Sequence, residues 1–101
     1  MSGVPQPYRY QYETVAASQT AQVLGGTGAI GDYLHRIIVT VSTALTGTVT
    51  ILDGSTSIAI VPASTTIGVY SIELNMRSAT GPWKVTTGAG ASVVGVGIFS
   101  A

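Results

Sequence analysis

The sequence predicts an all-β fold, a small antiparallel β-sandwich of about eight strands with an extended N-terminal arm. Three observations carry that expectation. Apolar and polar residues alternate at a period of two along most of the chain, as from Tyr33 to Thr43 and from Ile67 to Met76. Thr, Val and Ile dominate the composition, and these residues suit a pleated, half-buried surface. Turn signals built from Gly, Asp, Ser and Thr recur at the roughly 8–12 residue spacing of sandwiches and barrels. A jelly-roll winding is one topology such a pattern allows.

A chain of 101 residues makes one domain. Residues 1–14 read as an arm or edge strand, and residues 15–101 as the sandwich. Pro5 and Pro7 hold the first residues extended. Tyr8, Tyr10 and Tyr12 then fall on one face of a strand, with Arg9, Gln11 and Glu13 on the other. That face either packs its rings on its own domain or docks on a neighbouring subunit, where tyrosine is enriched.

Thr20 to Leu24 is a second short strand, followed by a glycine-rich loop, Gly25 to Asp32. In the long strand from Tyr33 to Thr43, Ile37, Val39 and Val41 share one face, and Ile38, Thr40 and Ser42 the other. Thr48 to Leu52 and Ser57 to Val61 form a hairpin around Asp53-Gly54, with a bulge at the loop. Pro62 ends that strand. In the next, Gly68, Tyr70, Ile72, Leu74 and Met76 oppose Val69, Ser71, Glu73 and Asn75. Trp83 to Thr87 and Ser92 to Phe99 read as a closing hairpin about Gly88-Ala89-Gly90. Gly95 and Gly97 share one face of the last strand, which implies that something packs close to it.

Charged residues are 8% of the chain, against a typical value of about 25%. So few charges resist self-association poorly, and such a surface belongs in an assembly or against a partner. Four basic and four acidic residues give a net charge of zero, which argues against nucleic acid as a partner. There is no cysteine for a disulfide or thiolate metal site. The first residues lack the apolar core of a signal peptide, and no apolar run approaches the roughly 18 residues of a membrane helix, so no membrane association is expected.

Several motifs invite a chemical reading. Gly26-Thr27-Gly28-Ala29-Ile30-Gly31 matches the G-x-G-x-x-G of dinucleotide sites, with Asp53 following. Leu34, Ile37, Ile38, Val41 and Leu45 even fit a helical stripe. Such a site needs a helix N-terminus behind the glycines to hold the pyrophosphate. Ile37 to Thr43 is β-branched at nearly every position, which favours a strand, so the glycines are assigned to a turn. His35 is the one histidine, and Asp32 and Asp53 are the acids nearest it in sequence, but no G-x-S-x-G elbow accompanies them. Nothing in the spacing pairs the carboxylates of Glu13, Asp32, Asp53 and Glu73. One histidine and scattered carboxylates make no metal set, so neither metal nor cofactor is expected, and the chain is read as non-enzymatic. Trp83 is either a core or interface anchor or a platform for a sugar ring. Glu73 and Arg77 share a strand face at an interval suited to cross-strand or inter-subunit ion pairs.

The runs Gly-Asp-Tyr-Leu-His-Arg-Ile-Ile-Val-Thr-Val, Thr-Gly-Thr-Val-Thr-Ile-Leu-Asp-Gly, Gly-Val-Tyr-Ser-Ile-Glu and Val-Gly-Val-Gly-Ile-Phe-Ser-Ala extend over residues 28–101. Together they resemble the small β-sandwich structural proteins of tailed bacteriophages, of the capsid decoration or cement kind. The resemblance rests on strand and turn patterns, and no functional residue is carried over with it. It implies a protein made in the host bacterial cytoplasm and placed on the capsid surface of the virion. There it would bind the major capsid protein and its own copies, as a dimer or trimer. Candidate contacts are Pro5, Pro7, Tyr8, Tyr10, Tyr12, Tyr33, Tyr70 and Trp83. A tail, neck or head-fibre component, or a lectin-like sugar-binding module, are the other functions the pattern accommodates.

Overall fold

The computed structural model describes residues 10–45 and 47–100. Pro5, Pro7 and Tyr8 lie outside the described residues. Eight strands are present: β1 (Gln11–Val15), β2 (Gln22–Val23), β3 (Tyr33–Val41), β4 (Val49–Asp53), β5 (Thr56–Val61), β6 (Gly68–Arg77), β7 (Trp83–Thr86) and β8 (Ala91–Ile98). They form two four-stranded sheets. Sheet one has the order β1-β8-β3-β6, and sheet two the order β2-β7-β4-β5. Every neighbouring pair is antiparallel. The pairings are nested: β4 with β5, β3 with β6, β2 with β7 and β1 with β8. Of the connections between successive strands, the β4–β5 turn alone stays within a sheet, and each of the others crosses the sandwich.

The core fills the space between the sheets by strict alternation. Val49, Ile51 and Asp53 of β4, Trp83 and Val85 of β7, and Ala91, Val93, Gly95 and Gly97 of β8 all point inward. They meet Ile37, Val39 and Val41 of β3, the face expected from period two. Leu34 is buried as well, three residues before Ile37, because the β3 register shifts between Leu34 and Arg36. His35 is the extra residue there relative to β8, and the bulge reverses the parity of the strand.

The β4–β5 hairpin forms as the Asp-Gly signal predicts. Asp53 pairs with Thr56, so the turn is Gly54-Ser55 alone, with Gly54 at a φ of 61°. The bulge sits deeper than expected, between Ile51 and Leu52, opposite the step from Ala59 to Ser57. The expected hairpin from Trp83 to Phe99 is corrected. β7 pairs with β2 and β4, whereas β8 pairs with β1 and β3. The two strands bear on the core from opposite sheets, because each carries a buried apolar face and has both hydrogen-bonding edges occupied. Gly88-Ala89-Gly90 therefore crosses the sandwich. Gly90, at a φ of 95°, offers its carbonyl to the N–H groups of Ser42 and Thr43 at 2.8 and 3.3 Å.

The glycine-rich loop leads into strand β3, so no helix stands behind it to hold a pyrophosphate. β1 pairs with β8 from Gln11 to Val15, which makes this part of the N-terminal segment an integral edge strand. On β6, Gly68, Tyr70, Ile72 and Leu74 face inward, as the alternation predicts, but remain half-buried. β5 and β6 are edge strands of their sheets, as β1 and β2 are on the other side, and their inward residues Ala59, Tyr70, Ile72 and Leu74 are only partly buried against the core.

The close approach expected at Gly95 and Gly97 is real. A β-carbon at Gly95 would lie 2.8 Å from Leu24 Cδ1, and one at Gly97 would collide with the Tyr33 carbonyl oxygen and the Phe99 ring. Backbone cannot yield as a side-chain tip can, so Gly97→Ala is expected to cost about 1–3 kcal/mol. That is a fall of roughly 5–15 °C in the melting temperature, read by circular dichroism. Gly47→Ala, where a β-carbon meets nothing within 4 Å, is expected to change stability by less than about 0.5 kcal/mol.

Candidate functional site

Charge is the scarcest material in this chain, and the fold uses most of its carboxylates internally. Asp53 ends β4 and accepts three consecutive backbone N–H groups from the β6–β7 turn: Ala79 at 2.8 Å, Thr80 at 3.1 Å and Gly81 at 3.2 Å. Asp32, just before β3, accepts the N–H of Ala29 at 3.0 Å and both the N–H and hydroxyl of Ser100 at 2.9 and 2.8 Å. Its main-chain carbonyl accepts from Trp83 Nε1 and from the Ser78 N–H, each at 2.9 Å. Glu13 on β1 accepts from Gly25 N–H at 2.7 Å and from Gln22 Nε2 at 2.9 Å. Each oxygen caps a loop, so neither Asp32 nor Asp53 is directed at His35.

Tyr10, Tyr33, His35 and Asn75 gather on the outer face of sheet one. Tyr10 stacks on His35, with ring centroids 4.6 Å apart and planes 15° from parallel. Tyr33 lies 6.0 Å from Tyr10 and donates its hydroxyl hydrogen to Asn75 Oδ1 at 2.9 Å. Burial against this cluster is the largest cause raising the Tyr33 phenol above its ordinary value of 10.0, and Tyr10 and the Glu73 carboxylate add to it. The cluster sits on a double irregularity. Where β3 has one residue, His35, between Leu34 and Arg36, β6 has two, Leu74 and Asn75. Asn75 takes a φ of 52°, the left-handed region that Asn tolerates better than most residues.

Cross-strand pairing extends this face. One row runs Tyr12, Val96, Arg36, Glu73, and the next runs Ile98, Tyr33, Arg77. A third runs Thr14, Val94, Ile38, Ser71. Tyr12 is 74% exposed, Ile98 40%, and Val69, further along β6, 67%. The two central strands of sheet one thus carry apolar residues on the outside as well as the inside, Ile38 on β3 and Val94, Val96 and Ile98 on β8. Arg36 and Glu73 form the one ion pair among the described residues, at 3.5 Å. Glu73 therefore meets Arg36 on the adjacent strand, while Arg77, four residues on, sits opposite Tyr33. Among the described residues no three His, Asp or Glu side chains converge on a point that would hold a metal ion.

The sequence candidates separate into three groups. Tyr10, Tyr12 and Tyr33 come together on the outer sheet face, beside His35. Tyr70 faces the other way; its hydroxyl donates to the Thr66 carbonyl at 2.8 Å, and its ring lines an open groove of about 520 Å³ with Ile60, Pro62 and Ile72. Trp83 is 1% exposed and lies in the core, so it offers no ring to a sugar or partner. Sequence reasoning missed Ile38, Val94, Val96 and Ile98 as surface residues. The signal was present in Ile37-Ile38 and Val93-Val94, adjacent apolar residues that must point to opposite faces. Comparison with family models, with curated proteins and with solved structures gives no match for the chain.

The Asp53 clamp has a pH signature. Burial is the largest influence on its carboxyl and pushes it up, but the three N–H groups and the Thr80 side chain outweigh it, and the group is held below its ordinary value of 3.8. The carboxylate form is thus favoured by folding. Its contribution is complete above 3.8 and is lost as pH falls through the depressed value. Urea melts are expected to show Asp53→Ala less stable by about 1–3 kcal/mol at neutral pH, because buried donors lose their acceptor. The deficit relative to the parent chain is expected to shrink between about pH 4 and pH 2. A deficit independent of pH over that range would assign it to packing instead.

Proposed function

We propose that this chain is a non-enzymatic structural protein of a tailed-phage particle, a decoration or cement protein that binds the major capsid protein and its own copies on the capsid surface. The observation that carries the reading is the outer face of sheet one, where Tyr12, Tyr33, Ile38, Val69, Val94, Val96 and Ile98 stand exposed or half-exposed among Thr, Ser and charged side chains. Central strands with two apolar faces are expected where both faces are covered. An isolated molecule covers one. The nested strand order, read as a jelly-roll winding, agrees with a class that includes viral capsid and lectin domains; this agreement is one of fold alone. Apolar area hidden against a shell stabilises it by roughly 25 cal/mol per Å², less the costs of association. The sugar-binding reading loses its stacking platform, since Trp83 is buried.

Purified particles from the phage or prophage that encodes the chain provide the test, by mass spectrometry and cryo-electron microscopy. The expected result is many copies per particle, with their density on the outer capsid surface. Density confined to the tail, neck or a fibre would move the protein to that part of the particle. Absence from particles would overturn the structural role.

A further inference from the structure

We propose that Asp53-Gly54 is a latent isoaspartate site that the folded chain keeps closed, so that unfolding exposes the protein to a covalent change from which it does not refold.

The chemistry is that of an Asp-Gly pair. The backbone nitrogen of Gly54 loses its proton and forms a bond to Asp53 Cγ. The hydroxyl of the protonated carboxyl leaves with that proton as water, and a succinimide ring closes. Water then adds back at either carbonyl of the ring. Opening at the former main-chain carbonyl leaves the chain running through Cγ, as isoaspartate. The net change is an isomerisation that needs no reactant beyond water. Glycine favours it, because no side chain shields its nitrogen or restricts its dihedrals. Asp53-Gly54 is the one Asp-Gly or Asn-Gly pair in the chain.

The fold requires both residues. Position 53 needs a carboxylate to accept the N–H groups of Ala79, Thr80 and Gly81. Position 54 has a φ of 61°, and a β-carbon there would lie 2.8 Å from Thr80 Oγ1 and 3.2 Å from the Gly81 nitrogen. The clamp and the turn together therefore bring a labile pair into the chain.

The same contacts shut the reaction. Oδ2 takes the Ala79 N–H, and Oδ1 those of Thr80 and Gly81. Such bonds favour the carboxylate over the acid, and the acid is the form with a hydroxyl to lose. The Gly54 N–H is donated to the Pro82 carbonyl at 2.9 Å, and the Thr80 hydroxyl holds the Asp53 main-chain carbonyl at 2.6 Å. Attack requires Asp53 and the Gly54 peptide to rotate against the β6–β7 turn. There is no room for it, since a β-carbon at Gly81 would already lie 2.9 Å from Gly54 Cα. Cyclisation thus draws on the opened chain alone.

The product cannot rebuild the clamp. Isoaspartate adds one methylene to the main chain at the last residue of β4 and hangs the carboxylate directly on Cα, one bond short of its donors. The pairing of Asp53 with Thr56 and the Gly54-Ser55 turn lose their register. Three buried N–H groups then lose their acceptor.

The full chain, aged at neutral pH and physiological temperature in buffer and in urea, tests the proposal. Electron-transfer peptide mapping and an isoaspartate-specific methyltransferase read the product at position 53. Isoaspartate is expected to accumulate in urea and to form at least about a hundredfold more slowly in buffer, where only the opened population reacts. When urea is removed, the isomerised fraction is expected to stay unfolded by circular dichroism while the rest refolds. Gly81→Ala pushes the turn off Gly54 and is expected to raise the rate in buffer about fivefold or more, with the rate in urea unchanged. If that variant does not fold, Thr80→Val, which frees the Asp53 carbonyl, takes its place. A rate in buffer comparable to that in urea overturns the proposal, as does an isomerised fraction that refolds with the parent melting temperature. A folded variant that isomerises no faster than the parent overturns the protection assigned to the turn.

Discussion

The two sheets share no strand, and two aspartates hold them together at one end. Asp53 leaves sheet two and grips the turn that brings the chain from β6 in sheet one back to β7 in sheet two. Asp32 leads into sheet one, ties the C-terminal Ser100 with its carboxylate, and receives the Trp83 indole of sheet two on its carbonyl. The winding demands this. Almost every connection crosses the sandwich, so the loops at this end crowd one another and bury backbone N–H groups that no strand can pair. Such donors are costly if left alone. A carboxylate accepts two or three of them at once and is the most economical acceptor a side chain offers.

That use of charge shapes the exterior. With Asp32, Asp53 and Glu13 committed to loops, the surface retains Glu73 and the basic side chains and little else that is ionised. The outside of sheet two mixes Thr50, Ser57 and Lys84 with Leu52 and the exposed Ile60, and that of sheet one sets Tyr, Val and Ile among Thr, Ser and charged side chains. The interior need for carboxylate acceptors and the exposed apolar face are two sides of one distribution. The clamps hold the loops, and what they leave on sheet one is an outer face with exposed apolar and aromatic side chains.

β8 concentrates the same logic in one strand. It lies between β1 and β3, and after Ala91 and Val93 its inward face is reduced to Gly95 and Gly97, because Leu24, Phe99 and the Tyr33 backbone occupy the space where side chains would stand. Its outward face keeps Val94, Val96 and Ile98 at full size. The strand is therefore bulkier towards solvent than towards the core near its end, the reverse of an ordinary edge-exposed sandwich. This inversion places the functional reading on the outside of sheet one and away from the buried Trp83.

Much of this was written in local pattern. Period-two alternation determined the strands, the Asp53-Gly54 signal the β4–β5 hairpin, and β-branched residues the refusal of a helix after the glycine-rich loop, because each depends on neighbours a few residues apart. Which strands pair depends on contacts far apart in sequence, and the expected hairpin from Trp83 to Phe99 failed for that reason. The Gly88–Gly90 turn is compatible with a hairpin or a crossing, and only the competition of β1, β2, β3 and β4 for the edges of β7 and β8 selects the crossing. The His35 bulge was equally hidden, since it exists relative to partners on both sides. Tyr10, Tyr12 and Tyr33 were legible as interface-type residues, but their meeting with His35 and Asn75 was not. The sequence by itself determined the elements and the shortage of charge; the tertiary structure decided which apolar face was left over, because a face is inside or outside only once the opposing sheet is in place.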